Sequence, residues 1–280
     1  MDHSAVSVTQ DGRGVCQELV LHRGIEIKAR CGISHCEQCA VRRLTIFGVL
    51  NLEELQSIHQ EIDDMQYARG QVVYAEGGYG DWIYSIKTGS VKLQRQLENG
   101  RQQITQVLGR GDVIGLESLI DQPYQHTACA IDDVRACRIP MTTIRHLEEQ
   151  APALRDEWMR RWQSALRGTE DWASLLTHGT PSIRLARLLL KLANPDLNDF
   201  VALPKRTDIG IMLGIAMETA SRIIAQFVRN GLLRYVGPRQ YQIKRSVLTA
   251  MCHNNTSTQP QRIRRNRHVP SNPEQPTLTA

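Results

Sequence analysis

The stretch KRTDIGIMLGIAMETASRIIAQFVRNGLLRYVGPRQYQI, residues 205 to 243, places the tightest constraint on the fold. Thr207 can cap a first helix over Asp208 to Leu213, and Gly214 then lets the chain turn sharply. A second helix is expected from about Ala216 to Asn230, where Gly231 ends it. LLRYVGPRQYQI follows as a hairpin around a Gly-Pro turn. Helix, glycine turn, helix and two-stranded wing together specify a winged helix-turn-helix.

Within the second helix Ile223, Ile224 and Phe227 form the inner stripe, leaving Glu218, Ser221, Arg222 and Arg229 outside. Residues 218, 221 and 222 stand at i, i+3 and i+4 and share one surface near the helix start. Arginine can bind guanine with two hydrogen bonds, glutamate can accept from the cytosine amine, and serine suits several bases. A plain ion pair between Glu218 and Arg222 would also explain two of the three. Charge favours DNA: residues 1–180 carry 19 Lys/Arg against 24 Asp/Glu, and residues 181–280 carry 15 against 5. A basic rear half is suited to an anionic partner.

Ahead of this unit the texture is different. Residues 69–140 alternate in short stretches cut by glycine, with strands expected at 71–74, 82–86, 90–97 and 102–108. Glu98-Asn99-Gly100 is a hairpin signal, and ACAIDDVRACRIP reads as one further strand. Short antiparallel strands at this spacing imply a jelly-roll or β-roll. Upstream, NLEELQSIHQEI reads as a short helix with Asn51 as its cap and Leu52, Leu55 and Ile58 on one face.

Between the two units lies a long helix. Met159, Trp162, Leu166, Thr169, Ala173 and Leu176 follow a 3-4-3-4-3 spacing, the seam of a partner helix. Leu154, Trp158, Ala165 and Trp172 form a second stripe. A helix with two apolar faces packs twice, here on its own domain and on a second copy of the chain. His178-Gly179-Thr180-Pro181 breaks it. The fold class is α+β, in five parts. They are an N-terminal cysteine-bearing segment (1–46), a β-roll sensor domain (47–150), a dimerisation helix (151–177), a winged helix-turn-helix (178–250) and a basic tail (251–280). The tail is rich in Pro, Gln, Asn, Thr and Arg and is expected to be disordered.

Residues 1–46 show no sustained periodicity but hold Cys16, Cys31, Cys36 and Cys39, four of the seven cysteines. No secretory signal and no apolar run of the roughly 20 residues a membrane helix needs is visible, so a cytoplasmic, membrane-free protein is expected. There, clustered thiols favour metal or redox chemistry over structural disulfides. An enzyme reading finds little: His126 and His146 are isolated, and no nucleophile elbow, phosphate loop or dinucleotide fingerprint is present.

METASR followed by IIAQFVRNGLL resembles the recognition helix of the CRP/FNR superfamily of bacterial transcription regulators, the FNR branch in particular. Glu218, Ser221 and Arg222 match its Glu-x-x-Ser-Arg motif, and the likeness extends over about residues 31–250. It implies a homodimer that reads a palindrome such as TTGAT with its inverted copy and works with RNA polymerase. Members that bind cyclic AMP carry an Arg-Ser pair after a Gly-Glu segment; here Glu117 remains, but His126 and Thr127 fill the place of the pair. Cyclic nucleotide is therefore not expected as effector. FNR proteins hold an oxygen-labile 4Fe–4S cluster on four cysteines, and Cys36, Cys39 and Cys137 match three of them. The usual remaining ligand falls at Thr45, and Cys31 can replace it, giving the set Cys31, Cys36, Cys39 and Cys137. Cys16 is a poorer substitute by spacing, and Cys129 reads as a small core residue. Zinc on the same thiols, or metal-free cysteines sensing redox state or nitric oxide, are the alternatives, with a jelly-roll metalloenzyme more remote.

Overall fold

The computed structural model describes the backbone of residues 6–10, 16–22 and 25–31, together with residues 39, 42–58, 61–193 and 198–253. The expected disorder of the tail concerns residues that, beyond 253, lie outside this set.

The front half is a roll of two sheets. One is built from β1 (Val6–Gln10), β2 (Cys16–His22), β3 (Ile25–Cys31), β4 (Asp63–Tyr67), β6 (Trp82–Thr88), β9 (Val113–Ile114) and β11 (Val134–Pro140), in the order β1-β2-β3-β4-β11-β6-β9. The other holds β5 (Val72–Tyr74), β7 (Val91–Gln96), β8 (Gln102–Leu108) and β10 (Thr127–Ala130), in the order β5-β10-β7-β8. Strand alternation places Tyr84, Ile86, Val134 and Ala136 between the sheets with Val73, Val91 and Leu93. The intervening residues Ile83, Cys137 and Ile139 belong to a second cluster on the outer face of the larger sheet.

That outer face is covered by 3-10 turns at Arg42–Leu44 and Ile46–Val49, by α1 (Leu52–Ile58) and α2 (Met141–Gln150), and by the start of α3 (Pro152–Thr177). Asn51 starts α1 with a capping box: its side chain accepts from the Glu54 amide at 2.9 Å while its own amide donates to Glu54 Oε2 at 2.8 Å. Leu55 and Ile58 are buried, but Leu52, expected on the same face, is 55% exposed. It occupies the first helical position, before the chain has turned onto the core. Asn51→Ala should cost about 1 kcal/mol by chemical denaturation, the usual value of an N-cap.

The rear half comprises α4 (Pro181–Leu192), α5 (Arg206–Leu213), α6 (Met217–Arg229), α7 (Arg245–His253) and a small sheet. Its strands are β12 (Phe200–Ala202), β13 (Leu233–Gly237) and β14 (Gln240–Ile243), ordered β12-β14-β13, so the wing has three strands rather than two. Leu185, Leu189, Ile209, Leu213, Ile224, Phe227 and Leu248 make the core of this half. Ile104, Val107 and Ile131 of the roll join the same cluster, so the halves share apolar packing.

Three further expectations change. ACAIDDVRACRIP is two strands, β10 and β11, parted by a turn in which Asp132 Oδ1 accepts from the Ser90 amide at 2.6 Å and Asp133 Oδ1 from the Arg69 amide at 3.1 Å. The N-terminal segment, without visible periodicity, contributes the β1–β3 meander. Helix α7 carries the chain to His253, into the first residues assigned to the tail.

Candidate functional site

Helices α5 and α6 meet at 103°, within the range of a helix-turn-helix. Gly214 permits this: it closes α5 at φ 59° and its amide donates to the carbonyls of Gly210 and Ile211. The first helix begins slightly earlier than expected, with Lys205 rather than Thr207 at its cap. Ala220, Ile223, Ile224 and Phe227 anchor α6 in the core. Its outer surface carries Glu218 and Arg222, both exposed, with Ser221 half-buried between them. Among the described residues no ion pair joins Glu218 to Arg222. Arg222 instead makes one long contact, Nη2 to Thr219 Oγ1 at 3.4 Å. The three polar groups are therefore available to a ligand, and Arg229 and the wing's Arg234 and Arg239 lie exposed nearby in sequence. This is a cationic, hydrogen-bonding surface of the kind that reads base edges.

Helix α3 presents its seam to solvent for most of its length. Met159 is 66% exposed, Leu166 60% and Trp162 39%. Thr169 and Ala173 are exposed as well, and Thr169 Oγ1 donates to the Ala165 carbonyl at 3.0 Å. Leu176 departs from the expected stripe: it is buried with Trp172 in the core shared with the rear half. By that point the helix has rotated onto α4, which covers the residue. The second stripe packs inward, with Leu154 and Trp158 against the roll.

The cysteines divide by position. Cys137 is 3% exposed in β11, on the outer face of the larger sheet, with Ser85 and Asp64 as its cross-strand partners. Ser85 Oγ is wholly buried and has no hydrogen-bond partner among the described residues, an orphaned donor directly beside the thiol. Cys39 is half-buried, and its carbonyl accepts from the Arg42 amide at 3.0 Å where the chain enters the cover over this face. Thr45 is buried, and its hydroxyl donates to the Arg42 carbonyl at 2.7 Å, so it serves the turn. Cys31 ends β3; Arg30 pairs with Gln66 of β4, which pairs with Arg135 of β11. One strand thus separates the backbone of Cys31 from the strand of Cys137, roughly 10 Å at ordinary strand spacing, and the register continues Cys31 level with Met65 and Ala136 rather than with Cys137. The β2–β3 pairing also sets Cys16 opposite Cys31, a juxtaposition that chain spacing disfavours and that only a hairpin reading of LHRGIEI could have signalled. Cys36 lies outside the described residues, and among those described no three His, Cys, Asp or Glu side chains gather as a metal site. The donor chemistry fits a thiolate-held metal group: a buried thiol beside an unsatisfied hydroxyl, with further thiols on the segment that leads into the cover.

In the roll, the 3-10 turn Leu116–Ile120 places Glu117 Oε1 at 3.8 Å from His126 Nδ1 and 3.3 Å from the Gln125 amide. Burial raises the Glu117 carboxyl, but His126 and the surrounding amides outweigh this and hold it below its ordinary value. Thr127 Oγ1 accepts from the Glu76 amide at 3.0 Å, and Tyr74 stacks on Tyr124 at 4.0 Å. Elsewhere, Cys129 is buried and its thiol is pushed up by desolvation, as expected of a packed cysteine. Among the described residues no single helix is long and apolar enough to cross a membrane.

Two family models match the chain: Cyclic nucleotide-binding domain over residues 64–151 and Crp-like helix-turn-helix domain over residues 183–246. The Fumarate and nitrate reduction regulatory proteins of Salmonella typhi and Escherichia coli (strain K12) are 29% identical over 214 residues, covering 74% of this chain and 85% of each relative. FixK2 of Bradyrhizobium japonicum superposes with a TM-score of 0.58 at 29% identity, covering 67% of this chain and 95% of that one. A CRP-family transcriptional regulator of Thermus thermophilus shares the fold (TM-score 0.55, 21% identity, 67% and 96% coverage). These relatives are regulators rather than enzymes. With a roll matching the nucleotide-binding domain model, a long connecting helix and a helix-turn-helix in this order, the chain belongs to the CRP/FNR family of DNA-binding transcription regulators.

Proposed function

We propose that the protein is a homodimeric, FNR-like regulator that senses oxygen through a 4Fe–4S cluster and binds a TTGAT-type palindrome. The placement of Cys137 carries the sensing half: a buried thiol beside the orphaned Ser85 hydroxyl and beneath the segment that follows Cys39. Cys31, Cys36, Cys39 and Cys137 would hold the group, with Cys16 as the rival for the place of Cys31. When bound, the cluster supplies a centre that oxygen oxidises.

The chain's own residues give the signal a route. Ligation by these thiols would tie the N-terminal segment to β11. The residues that follow it, Ile46, Phe47 and Leu50, share one buried cluster with Cys137 and with Leu154 and Trp158 of α3. Met159 and Trp162, within about a turn of Trp158, open the exposed stripe. A shift in the cover over Cys137 therefore reaches the dimer surface through direct side-chain packing. Glu117, kept anionic and accompanied by His126 rather than arginine, disfavours a cyclic phosphate as effector. RNA polymerase is the downstream partner that the relatives' role as regulators suggests.

The test is anaerobic purification followed by binding to a duplex of TTGAT, four base pairs and ATCAA, before and after exposure to air. A brown protein with about four iron and four sulfide per chain, losing iron and DNA affinity in air, is expected. Cys31→Ala should lose both, whereas Cys16→Ala should keep both. A colourless, zinc-bearing protein whose binding ignores air would refute oxygen sensing and leave DNA reading intact.

A further inference from the structure

We infer that Lys92, through Asp208, is a positioning residue for DNA recognition: it sets the angle at which the recognition helix leaves the dimer. Lys92 lies in β7 on the outer face of the smaller sheet, paired in register with Val107 and Cys129. Its Nζ is 2.9 Å from Asp208 Oδ2, and the two side chains are only 13% and 11% exposed. Asp208 sits in the first turn of α5, the helix that supports α6. A second polar contact flanks the pair: Arg69 Nη2, in the turn after β4, donates to the Leu203 carbonyl at 3.0 Å. Ile104, Val107 and Ile131 enter the core of the DNA-binding half from the same side of the roll. None of these groups lies on the outer surface of α6, so the contact orients the reading head without covering it.

The geometry explains why a fixed point is needed. The covalent link between α3 and the DNA-binding half passes through Gly179, at φ 94° in the break before α4, and the packing beside it is at the end of α3, where Trp172 and Leu176 enter the core of that half. Beside the contact a cleft of about 620 Å³ separates Val107, Leu108 and Asp132 from Lys191, Val201 and Gln240. With room on that side and a glycine in the connection, the ion pair closes a triangle of α3, roll and reading head. Arg161 fastens the first side, its Nη1 donating to the Gly111 carbonyl at 2.9 Å. An ammonium–carboxylate pair shielded from water is a directional constraint that apolar contacts alone lack. The inference rests on the dimeric, palindrome-reading function proposed above.

The experiment measures affinity of the intact anaerobic protein for one TTGAT half-site and for palindromes whose spacer is lengthened or shortened by a base pair. Wild type should favour one spacer. Lys92→Gln, a change outside the DNA-binding half, should reduce that preference by about fivefold to tenfold, the scale of coupling between directly paired residues. Its half-site affinity should be unchanged, and Lys92→Arg should restore the preference. Retained selectivity in Lys92→Gln overturns the positioning role, as does an equal loss on half-sites and all palindromes, which would mark a general structural defect. A wild type indifferent to the second half-site overturns the dimeric reading and this inference with it.

Discussion

Leu166→Glu is expected to leave the protein monomeric at micromolar concentration and to weaken palindrome binding by at least about a hundredfold. Across a two-fold axis parallel to α3 each seam residue approaches its own copy, so one substitution places two carboxylates in the same contact. An uncompensated buried charge costs about 3–5 kcal/mol, enough to dissociate a seam of this kind. Leu166 is 60% exposed and Met159 66%, so the protomer loses almost nothing when either is changed. Circular dichroism and thermal midpoint should therefore hold while light scattering reports half the mass. Leu154→Ala gives the contrast: that residue is fully buried against the roll, and its truncation should cost about 2–5 kcal/mol of stability. A Leu166→Glu protein that stays dimeric would move the interface off this face. Thr169 adds no charge to the stripe and bonds its own helix, so the unligated protein should retain part of its dimer.

What the sequence disclosed follows how local the determining physics is. Strands β6, β7 and β8 were legible nearly to the residue because glycines and alternation mark their ends. The capping box at Asn51 and the glycine bend at Gly214 are written in adjacent side chains. Asp132 and Asp133 misled the reading because their carboxylates serve turns far away in sequence, at Ser90 and Arg69, inside a stretch that otherwise looks continuous. Strand β4, DDMQY, has weak intrinsic preference and is fixed by its place beside β11. Leu176 continues the heptad in sequence yet is captured by the neighbouring α4 core, which no periodicity reveals. The Lys92–Asp208 contact belongs to the same class: each residue reads as ordinary surface charge until the two halves are docked. The cysteine site lies between these extremes. Its donors are visible as residue types and the Cys16–Cys31 register follows from a local hairpin, whereas the unsatisfied Ser85 hydroxyl appears only in three dimensions.

Arg222→Ala should remove most sequence discrimination while sparing the fold. A bidentate arginine–guanine pair is worth about 1–3 kcal/mol against the wrong base. Two half-sites double that, so preference for the palindrome over a scrambled duplex should fall by roughly thirtyfold or more. Among the described residues the guanidinium has only the 3.4 Å contact to Thr219, and its removal should alter stability by less than about 0.5 kcal/mol. The wing offers the comparison. Arg234 is exposed and its Nη2 donates to Gln242 Oε1 at 2.7 Å, which holds it within the hairpin. If it meets phosphate, Arg234→Ala should weaken cognate and scrambled duplexes alike and reduce the salt slope by about one per contact. Competition titrations at two salt concentrations separate the two behaviours. Equal losses on both duplexes for Arg222→Ala would place it with the phosphate contacts and shift base reading to Glu218 and Ser221. Among the described residues Glu218 makes no ion pair, though Arg222 stands one turn away on the same exposed surface.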